Sequence, residues 1–299
     1  MSNHTRSTEA LGQSDVFLEF QEHLSRAARA DRSVLIIGER GTGKELAATR
    51  LHFLSGRWQG PFVALNCAAL AGSLLESELF GHEAGAFTGA ATRRKGRFEA
   101  ADSGTLFLDE IANLSRPAQE KILRAVEYGV FERVGGVVPV SVDVRVIGAT
   151  NADLPALADR DRFKRDLLDR LSFEVLTLPP LREREGDVEL LARHFAGRMG
   201  VELGWEVSVE FTDRAMTTLL GHHWPGNVRE LKNVVERAVY RGEGLVDEIV
   251  LDPFASPFRP VEEDHLAPGQ SGQNPPPVPG PDFSLPLRQA VADLETDYL

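Results

Sequence analysis

Short apolar runs alternate with longer amphipathic stretches between Ser33 and Pro180. The apolar runs are rich in β-branched residues, which is typical of strands buried on both faces of a sheet. They are VLIIG, FVALNC, TLFLDE, VRVIGAT and FEVLTL, and the amphipathic stretches include GKELAATRLHFL, PAQEKILRAVEYG and FKRDLLDRL. An earlier stretch, FLEFQEHLSRAARA, also predicts a helix. Strands and helices in alternation predict a parallel sheet with helices on both faces.

The strand pattern stops after Pro179 and Pro180. Three amphipathic stretches follow, GDVELLARHFAGRMG, TDRAMTTLLGH and NVRELKNVVERAVYRG, and each predicts a helix. The expected fold is therefore an α/β parallel-sheet domain followed by a small all-α domain.

Five segments are expected along the chain. Residues 1–10 are polar and predicted to be disordered, 11–180 form the α/β domain, and 181–253 form the helical domain. Residues 254–282 are rich in Pro, Gly, Gln and Glu, which predicts a flexible linker. Residues 283–299 place apolar side chains on one helical face, and so short a helix is marginal in water. We expect it to be the start of a further, truncated domain.

Composition narrows the choice of partners and compartment. The chain has 299 residues, with 33 basic against 45 acidic side chains and a net charge of −12, which argues against DNA binding by bulk charge. Cys67 is the single cysteine, so no internal disulfide can form and a reducing cytoplasm is the simplest setting. The N-terminus lacks the apolar core of a signal peptide, and no run approaches the ~20 apolar residues that cross a bilayer.

A glycine-rich loop, GERGTGKE, joins the first strand to its helix. Glycines let several backbone N–H groups point inward, the helix adds its positive end, and a lysine supplies a point charge, so the pattern predicts a phosphate site. The strict motif ends in Ser or Thr, whose hydroxyl binds Mg²⁺, where this chain has Glu45. The candidate nucleotide-binding residues of the loop are Gly38, Glu39, Arg40, Gly41, Thr42, Gly43, Lys44 and Glu45.

Polar side chains end three of the predicted strands. Asp109 and Glu110 follow TLFL, where Asp109 would hold Mg²⁺ and Glu110 would activate the attacking water of a nucleotide hydrolase. The alternative is that this acid pair caps the next helix. Asn66 and Asn151 end two other strands, and each is either a turn residue or a side chain beside the γ-phosphate.

Several basic residues have two interpretations. In WPGNVREL, Asn227 is predicted to cap a helix, which places Arg229 in a first turn that disfavours a cation unless an anion lies nearby. Lys164, Arg165 and Arg170 lie off the apolar face of FKRDLLDRL. They are either solvated or inserted into a neighbouring subunit's phosphoryl-transfer site.

Eight motifs occur in one order between Leu11 and Leu251. Together they closely resemble the AAA+ domain of bacterial enhancer-binding proteins, the sigma-54-dependent transcriptional activators. The resemblance implies a P-loop AAA+ three-layer domain with a helical lid, Mg²⁺-dependent ATP hydrolysis, and a ring hexamer that remodels the closed promoter complex of sigma-54 RNA polymerase. The motifs are GERGTGKE, ELFGHEAGAFTGA, GTLFLDE, ERVGG, ATNADL, DLLDRL, LPPLRERE and WPGNVREL.

The resemblance also assigns roles to a mobile loop. Alone, GAFTGA is either a turn whose Phe87 folds back locally or a flexible segment that presents it. By the resemblance, Phe87 and Thr88 contact the sigma factor, and Gly85 and Gly89 are hinges. The ERVGG segment, residues 132–136, would be a second loop on the pore side, which Arg133 couples to the nucleotide.

Around the nucleotide, the resemblance implies that Asn66 switches the catalytic Glu110 according to the nucleotide state. It also implies that Asn151 is the first sensor of the nucleotide and Arg229 the second. Glu45 agrees with the family's own loop. The trans basic residues fall at Lys164 and Arg170. The family usually has Arg where this chain has Lys164, so either Arg165 takes over or Arg170 does most of the work.

Further partners are implied by the resemblance. Because no receiver or sensor segment precedes the ATPase, the chain is most similar to the phage-shock branch, whose ATPase is restrained by an inhibitory partner; Trp58 is a candidate contact. The family ends in a helix-turn-helix domain, so DNA binding is expected only through that missing domain. The alternatives are a nucleotide-gated binding module without turnover, or another AAA+ remodeller that does not contact sigma-54.

Overall fold

The five apolar runs form one parallel sheet, which confirms the predicted α/β class. The computed structural model describes residues 10–70, 72–205, 208–242 and 244–254. The strands lie in the order β2-β3-β6-β1-β7, and every pairing is parallel. Their bounds are β1 Val34–Ile37, β2 Phe62–Asn66, β3 Thr105–Asp109, β6 Arg145–Thr150 and β7 Glu174–Thr177.

Side chains alternate between the two faces of the sheet and fill two separate cores. On β1, Ile36 packs on one face and Leu35 on the other, and Phe107 and Leu108 divide in the same way on β3. The central strands are buried on both faces, which explains why their sequences are continuously apolar rather than alternating.

Helices cover both faces. Two pack against the Ile36 face and five against the Leu35 face. The first two are α1 Asp15–Ala28 and α2 Lys44–Phe53, and the others are α3 Gly72–Phe80, α4 Arg97–Ala100, α5 Arg116–Tyr128, α6 Leu154–Asp159 and α7 Arg165–Leu171. Short 3₁₀ turns lie at Ile111–Asn113 and Leu181–Glu183.

The three predicted C-terminal helices are present and share a third core around the buried Trp224. The indole Nε1–H of Trp224 donates to the Leu219 carbonyl at 3.0 Å, so the ring is fixed as well as buried. These helices are α8 Asp187–Glu202, α9 Asp213–Gly221 and α10 Asn227–Gly242. They form the helical lid.

Two expectations about this region are wrong. Strands do not stop at Pro180, because β8 (Glu210–Phe211) and β9 (Leu245–Val246) form a small parallel pair. Each is two residues long, too short for a periodic signal. In addition, Asn227 does not cap α10; its φ is +52°, and its side chain bonds elsewhere. The second small sheet, formed by β4 (Val130–Glu132) and β5 (Pro139–Ser141), was also absent from the sequence prediction.

A buried ion pair ties the N-terminal segment to the start of the lid. Asp187 is fully buried, and it accepts hydrogen bonds from the Ser14 hydroxyl at 3.0 Å and from Arg184 Nε at 2.8 Å. The Arg184 guanidinium also donates to the Leu11 carbonyl and lies over the Phe17 ring. The segment before α1 is therefore anchored to the lid.

Some predictions fall outside the described residues. These are the disordered N-terminus except residue 10, the 254–282 linker except residue 254, and the 283–299 helix. The predicted boundary near residue 180 stays a prediction. Among the helices that the structure describes, none combines the length and apolarity needed to cross a bilayer.

Candidate functional site

The parallel order of the sheet brings its predicted site residues to one edge. Strands β1, β3 and β6 are neighbours, and all end there. The loop after β1 begins with Gly38, whose N–H donates to the Thr150 carbonyl at 3.2 Å, and Asp109 ends β3. Ligands of open α/β sheets bind outside the carboxyl ends of the strands, so this edge is the candidate site.

The glycine-rich loop wraps around Lys44, which is buried at the first position of α2. Its ammonium donates to the carbonyls of Gly38 at 2.9 Å and Glu39 at 3.0 Å. Burial lowers the pKa of Lys44, while the nearby carboxylates Asp109 and Glu110 act in the opposite direction. The lysine and the acid pair therefore share one electrostatic site.

The acid pair has an unusual backbone. Glu110 has φ +54° and ψ +46°, a left-handed conformation that costs energy for a residue with a side chain. Its N–H donates to Asp109 Oδ1 at 3.0 Å, and the Asp109 carbonyl accepts from Cys67 N–H. Glu110 stands at the N-cap position of the 3₁₀ turn Ile111–Asn113 without a side-chain cap bond, and α5 is capped by Ser115, so neither carboxylate acts as a helix cap. The neighbouring Cys67 thiol stays protonated. Its burial, together with the negative charges of Asp109 and Glu110, raises its pKa to about 12.

The lid closes onto the phosphate loop through α10. The Arg229 N–H donates to the Gly41 carbonyl at 3.3 Å, which places this predicted sensor beside the loop. At Gly41, with φ +78°, a Cβ would lie 2.2 Å from the Gly226 carbonyl oxygen. Only glycine permits so close a backbone approach.

Two lid residues that the sequence analysis did not assign to the site bind the Glu39 carboxylate. Arg182 forms a two-pronged ion pair with its carboxylate at 2.7 and 2.9 Å, and the Asn227 amide donates to it at 3.0 Å. Asn227 also donates to the Arg40 carbonyl and accepts from the Leu181 N–H. The sequence feature that could have indicated Asn227 is its position two residues before the predicted sensor Arg229 in WPGNVREL.

Glu39 makes this contact pH-dependent. Hydrogen bonds from Arg182 and Asn227 lower its pKa from 4.5 to about 2. A carboxyl whose pKa is lower when folded stabilises the protein above its unfolded pKa and loses that contribution as the pH falls. We therefore expect Glu39→Gln to lose less free energy of unfolding than the wild type between about pH 4.5 and about pH 2, measured by urea unfolding.

The matched control for this measurement is Glu185→Gln. Glu185 is exposed, near the same lid entry. The control should follow the wild-type pH profile. Equal acid sensitivity in Glu39→Gln and the wild type would contradict the contact's role.

An apolar pocket of about 110 Å³ adjoins the phosphate loop. It lies between α1, α2, α8 and α10, and it reaches Gly41, Thr42 and Gly43. The Thr42 hydroxyl itself donates to the Glu39 carbonyl. The apolar side chains that line it include Phe17, Phe20, Leu46, Leu191, Phe195 and Val228. Since these come from four separate helices, no local pattern revealed the pocket.

The two asparagines occupy strand ends as predicted. Asn66 pairs in register with Asp109, and its Oδ1 accepts from the Ala68 N–H at 2.8 Å, which is an Asx turn. Asn151 follows β6 and is exposed. Asn66 thus makes a local turn contact, and Asn151 directly follows Thr150, whose carbonyl accepts from the Gly38 N–H.

The candidate trans basic residues pair with acidic side chains of their own chain. Lys164 Nζ lies 2.8 Å from Glu120, and Arg170 pairs with Glu127. Both partners belong to α5, whereas Arg165 pairs with an aspartate at the end of α6. Lys164 and Arg170 therefore share one face, and Arg165 points to another neighbour.

The GAFTGA loop is closed by its own backbone bonds. Gly85 and Gly89 have φ +81° and +102°, and the Gly85 N–H donates to the Ala90 carbonyl at 2.8 Å. Phe87 packs edge-on against His82 with ring centroids 5.0 Å apart, yet remains 45% exposed. The ring thus folds back locally and is still presented to solvent, next to the exposed Thr88.

Arg133 is buried at the base of this loop. It forms ion pairs with Glu99 at 2.6 Å and with Glu83 at 3.0 Å. The contacts of Arg133 that the structure describes join the second loop to the GAFTGA loop rather than to the phosphate loop.

A P-loop at the carboxyl edge of a parallel sheet, closed by a helical lid, defines an AAA+ ATPase. Residues 10–177 match the Sigma-54 interaction domain, and residues 182–264 match the AAA+ ATPase lid domain. The chain belongs to the family of sigma-54 activator ATPases.

The family is also supported by individual relatives. The chain is 59% identical to the Psp operon transcriptional activator of Escherichia coli (strain K12) over 256 residues, which cover 85% of this chain and 78% of that protein. It is 48% identical to Regulatory protein AtoC of the same organism over 79% of this chain and 51% of that one. The crystal structure of NtrX from Brucella abortus in complex with ATP superimposes with TM-score 0.74 at 34% identity, over 98% of this chain and 62% of that one.

The residues at this edge fit a magnesium nucleotide. Mg²⁺ is usually held by one or two carboxylates together with phosphate oxygens and water. Asp109 is a half-buried carboxylate beside Lys44, and the described part of the chain holds no cluster of three or more His, Cys, Asp or Glu side chains arranged for a metal.

Proposed function

We propose that this chain is the ATPase of a sigma-54 activator, which uses ATP hydrolysis to move its GAFTGA loop against sigma-54 RNA polymerase. The observation that carries the proposal is the meeting of Lys44, Asp109 and Glu110 at one sheet edge. Arg133 and the GAFTGA loop occupy the same α/β unit.

In this proposal each residue at the edge has one task. The backbone N–H groups of residues 38–44 and the Lys44 ammonium hold the phosphates. Asp109 would hold Mg²⁺, which would supply positive charge to offset that of the phosphates. Glu110 takes a proton from water as the water oxygen bonds the γ-phosphorus and the bond to the β-phosphate oxygen breaks, leaving ADP and phosphate. Asn66 and Asn151 flank this reaction, and Arg229 carries the nucleotide state into the lid.

Motion reaches the partner surface through buried charges. Arg133 forms ion pairs with both Glu99 and Glu83, and Glu83 lies just before the GAFTGA loop in the sequence. Arg133 is buried, and a buried charge that loses its partners is costly, so we expect a shift of either loop to move the other. Phe87 and Thr88 are then the contact side chains for the sigma subunit, with Gly85 and Gly89 as hinges.

The proposal includes a ring of identical subunits, a hexamer by family resemblance. Lys164 and Arg170 pair with two acidic side chains of α5, and the Arg170 side chain is exposed, which suits donation to a neighbour. A heterologous interface forms a ring when its rotation closes.

The proposal also covers the process that this ATPase regulates and a partner that inhibits it. The identity of 59% to a Psp operon activator supports a role in a phage-shock response. An inhibitory partner would need an exposed contact, and Trp58 is 55% exposed. DNA contact is left to a C-terminal helix-turn-helix domain.

Phe87→Ala tests the loop's role. We expect ATP hydrolysis within about twofold of wild type, because the ring contacts His82 and not the phosphate loop. Activation of transcription by purified sigma-54 holoenzyme should fall by at least about tenfold. An aromatic side chain that becomes buried at the centre of an interface usually costs about 2 kcal/mol or more when it is truncated.

Phe53→Ala is the control. Phe53 is an exposed aromatic at the end of α2, outside the loop, and its loss should leave activation intact. Unchanged activation by Phe87→Ala would reject the proposed contact. Failure of the wild type to release phosphate would instead favour a nucleotide-gated binding module.

A further inference from the structure

Gln21 is a polar residue on the buried face of α1. It lies four residues after Phe17, so both side chains project from the same face of the helix. Phe17, Phe20 and Leu24 on this face are buried in the core. An apolar residue would therefore be expected where Gln21 stands.

The amide oxygen of Gln21 has no hydrogen-bond partner in the part of the chain that the structure describes. Its Oε1 is buried, and Gln21 lines the apolar pocket beside the phosphate loop. Two other polar side chains of that lining are already engaged: Thr42 donates to the Glu39 carbonyl, and Arg184 pairs with Asp187. A buried acceptor without a donor is costly, which points to a ligand that supplies one.

The chemistry of that donor follows from the position of the pocket. A nucleotide whose phosphates lie on residues 38–44 would place its base in the adjoining pocket, which touches Gly41, Thr42 and Gly43. Adenine carries a 6-amino donor, whereas guanine and hypoxanthine carry a 6-oxo acceptor. Glutamine pairs well with adenine because its amide both accepts from an amino group and donates to a ring nitrogen.

We propose that Gln21 is a base-specificity residue that accepts a hydrogen bond from the 6-amino group of adenine. The inference rests on the proposed nucleotide site. It adds a selectivity for the base to a site whose loop and acid pair read only phosphates and metal. His194 is another polar side chain of the pocket lining, and its ring contacts Phe195.

The test compares ADP with purine riboside 5′-diphosphate, which lacks the 6-amino group, by calorimetric titration of the whole chain. The wild type should bind ADP about tenfold more tightly, the effect of one buried hydrogen bond. In Gln21→Met, which keeps the side-chain length, the two affinities should agree within about twofold, with the loss on the ADP side.

Glu22→Met, an exposed position on the same helix, is the matched control and should keep the wild-type preference. A thermal unfolding scan without nucleotide should show Gln21→Met at least as stable as wild type, because it removes an unsatisfied atom. Should Gln21→Met fail to fold, Gln21→Leu replaces it.

Three results are distinguishable. An equal preference in wild type and Gln21→Met would overturn the role of Gln21, as would a preference abolished only by His194→Phe. A wild type that binds both diphosphates equally would also overturn it, while leaving the nucleotide site in place. A wild type that binds neither diphosphate would instead refute the proposed nucleotide site.

Discussion

Glu110→Gln is expected to lower the rate of ATP hydrolysis by about 10²–10⁴-fold, the usual contribution of a general base. The amide keeps the size of the side chain but does not take a proton from water. ATP affinity should stay within about threefold of wild type, because the phosphates are held by the loop and Lys44 rather than by this carboxylate.

The measurement is steady-state phosphate release beside equilibrium ATP binding. Glu202→Gln is the control, because Glu202 is an exposed carboxylate at the end of α8. If both variants hydrolysed ATP at the wild-type rate, Glu110 would not be the base, and its left-handed backbone would need another explanation. A parallel loss of binding would indicate that the substitution disturbed the site itself.

Arg170→Ala is expected to lower ATP hydrolysis by about 10³–10⁵-fold, the effect of removing an inserted arginine from phosphoryl transfer. The residue lies on the exposed α5–α7 face and pairs with Glu127, so a loss of hydrolysis without a loss of fold would require action on a neighbour. Lys164→Ala should follow it with a smaller effect, since lysine lacks the planar fork.

Mixing variants separates action in trans from action within one chain. Lys44→Ala subunits keep Arg170, and Arg170→Ala subunits keep their phosphate loop. In a randomly mixed ring about a quarter of the interfaces would combine both intact parts, so hydrolysis should recover toward that fraction. No recovery would refute the shared site. Arg165→Ala is the comparison variant, because Arg165 pairs with α6 and not with α5.

Most of the nucleotide edge could be predicted from the chain. Gly38, Lys44, Asp109 and Asn151 each stand at the end of a local pattern, a strand followed by a polar residue or a curled loop. Parallel pairing then places these ends at the same edge of the sheet, and the order β3-β6-β1 makes them neighbours. The α/β class and the lid helices were predicted for the same reason, since hydrophobic periodicity reports burial within a single element.

The contacts between elements could not be predicted in this way. The local sequence predicts Asn227 to be a helix cap, but its side-chain amide donates to the carboxylate of Glu39, nearly two hundred residues earlier in the chain. Arg133 reads as part of a glycine-ended loop, and its partners Glu99 and Glu83 come from two other segments. A side chain's local options do not reveal which distant group satisfies its hydrogen bonds.

The sequence alone determined the parallel sheet, the phosphate loop, the acid pair and the glycine-flanked aromatic loop, because each is encoded by neighbours along the chain. The tertiary structure alone decided that Arg182 and Asn227 of the lid donate hydrogen bonds to the Glu39 carboxylate. It also decided that α1, α2, α8 and α10 enclose an apolar pocket. It further decided that Gln21, which lines that pocket, has a buried amide oxygen without a hydrogen-bond partner among the described residues. Burial and hydrogen bonding between remote segments depend on how the elements pack, which short-range patterns do not record.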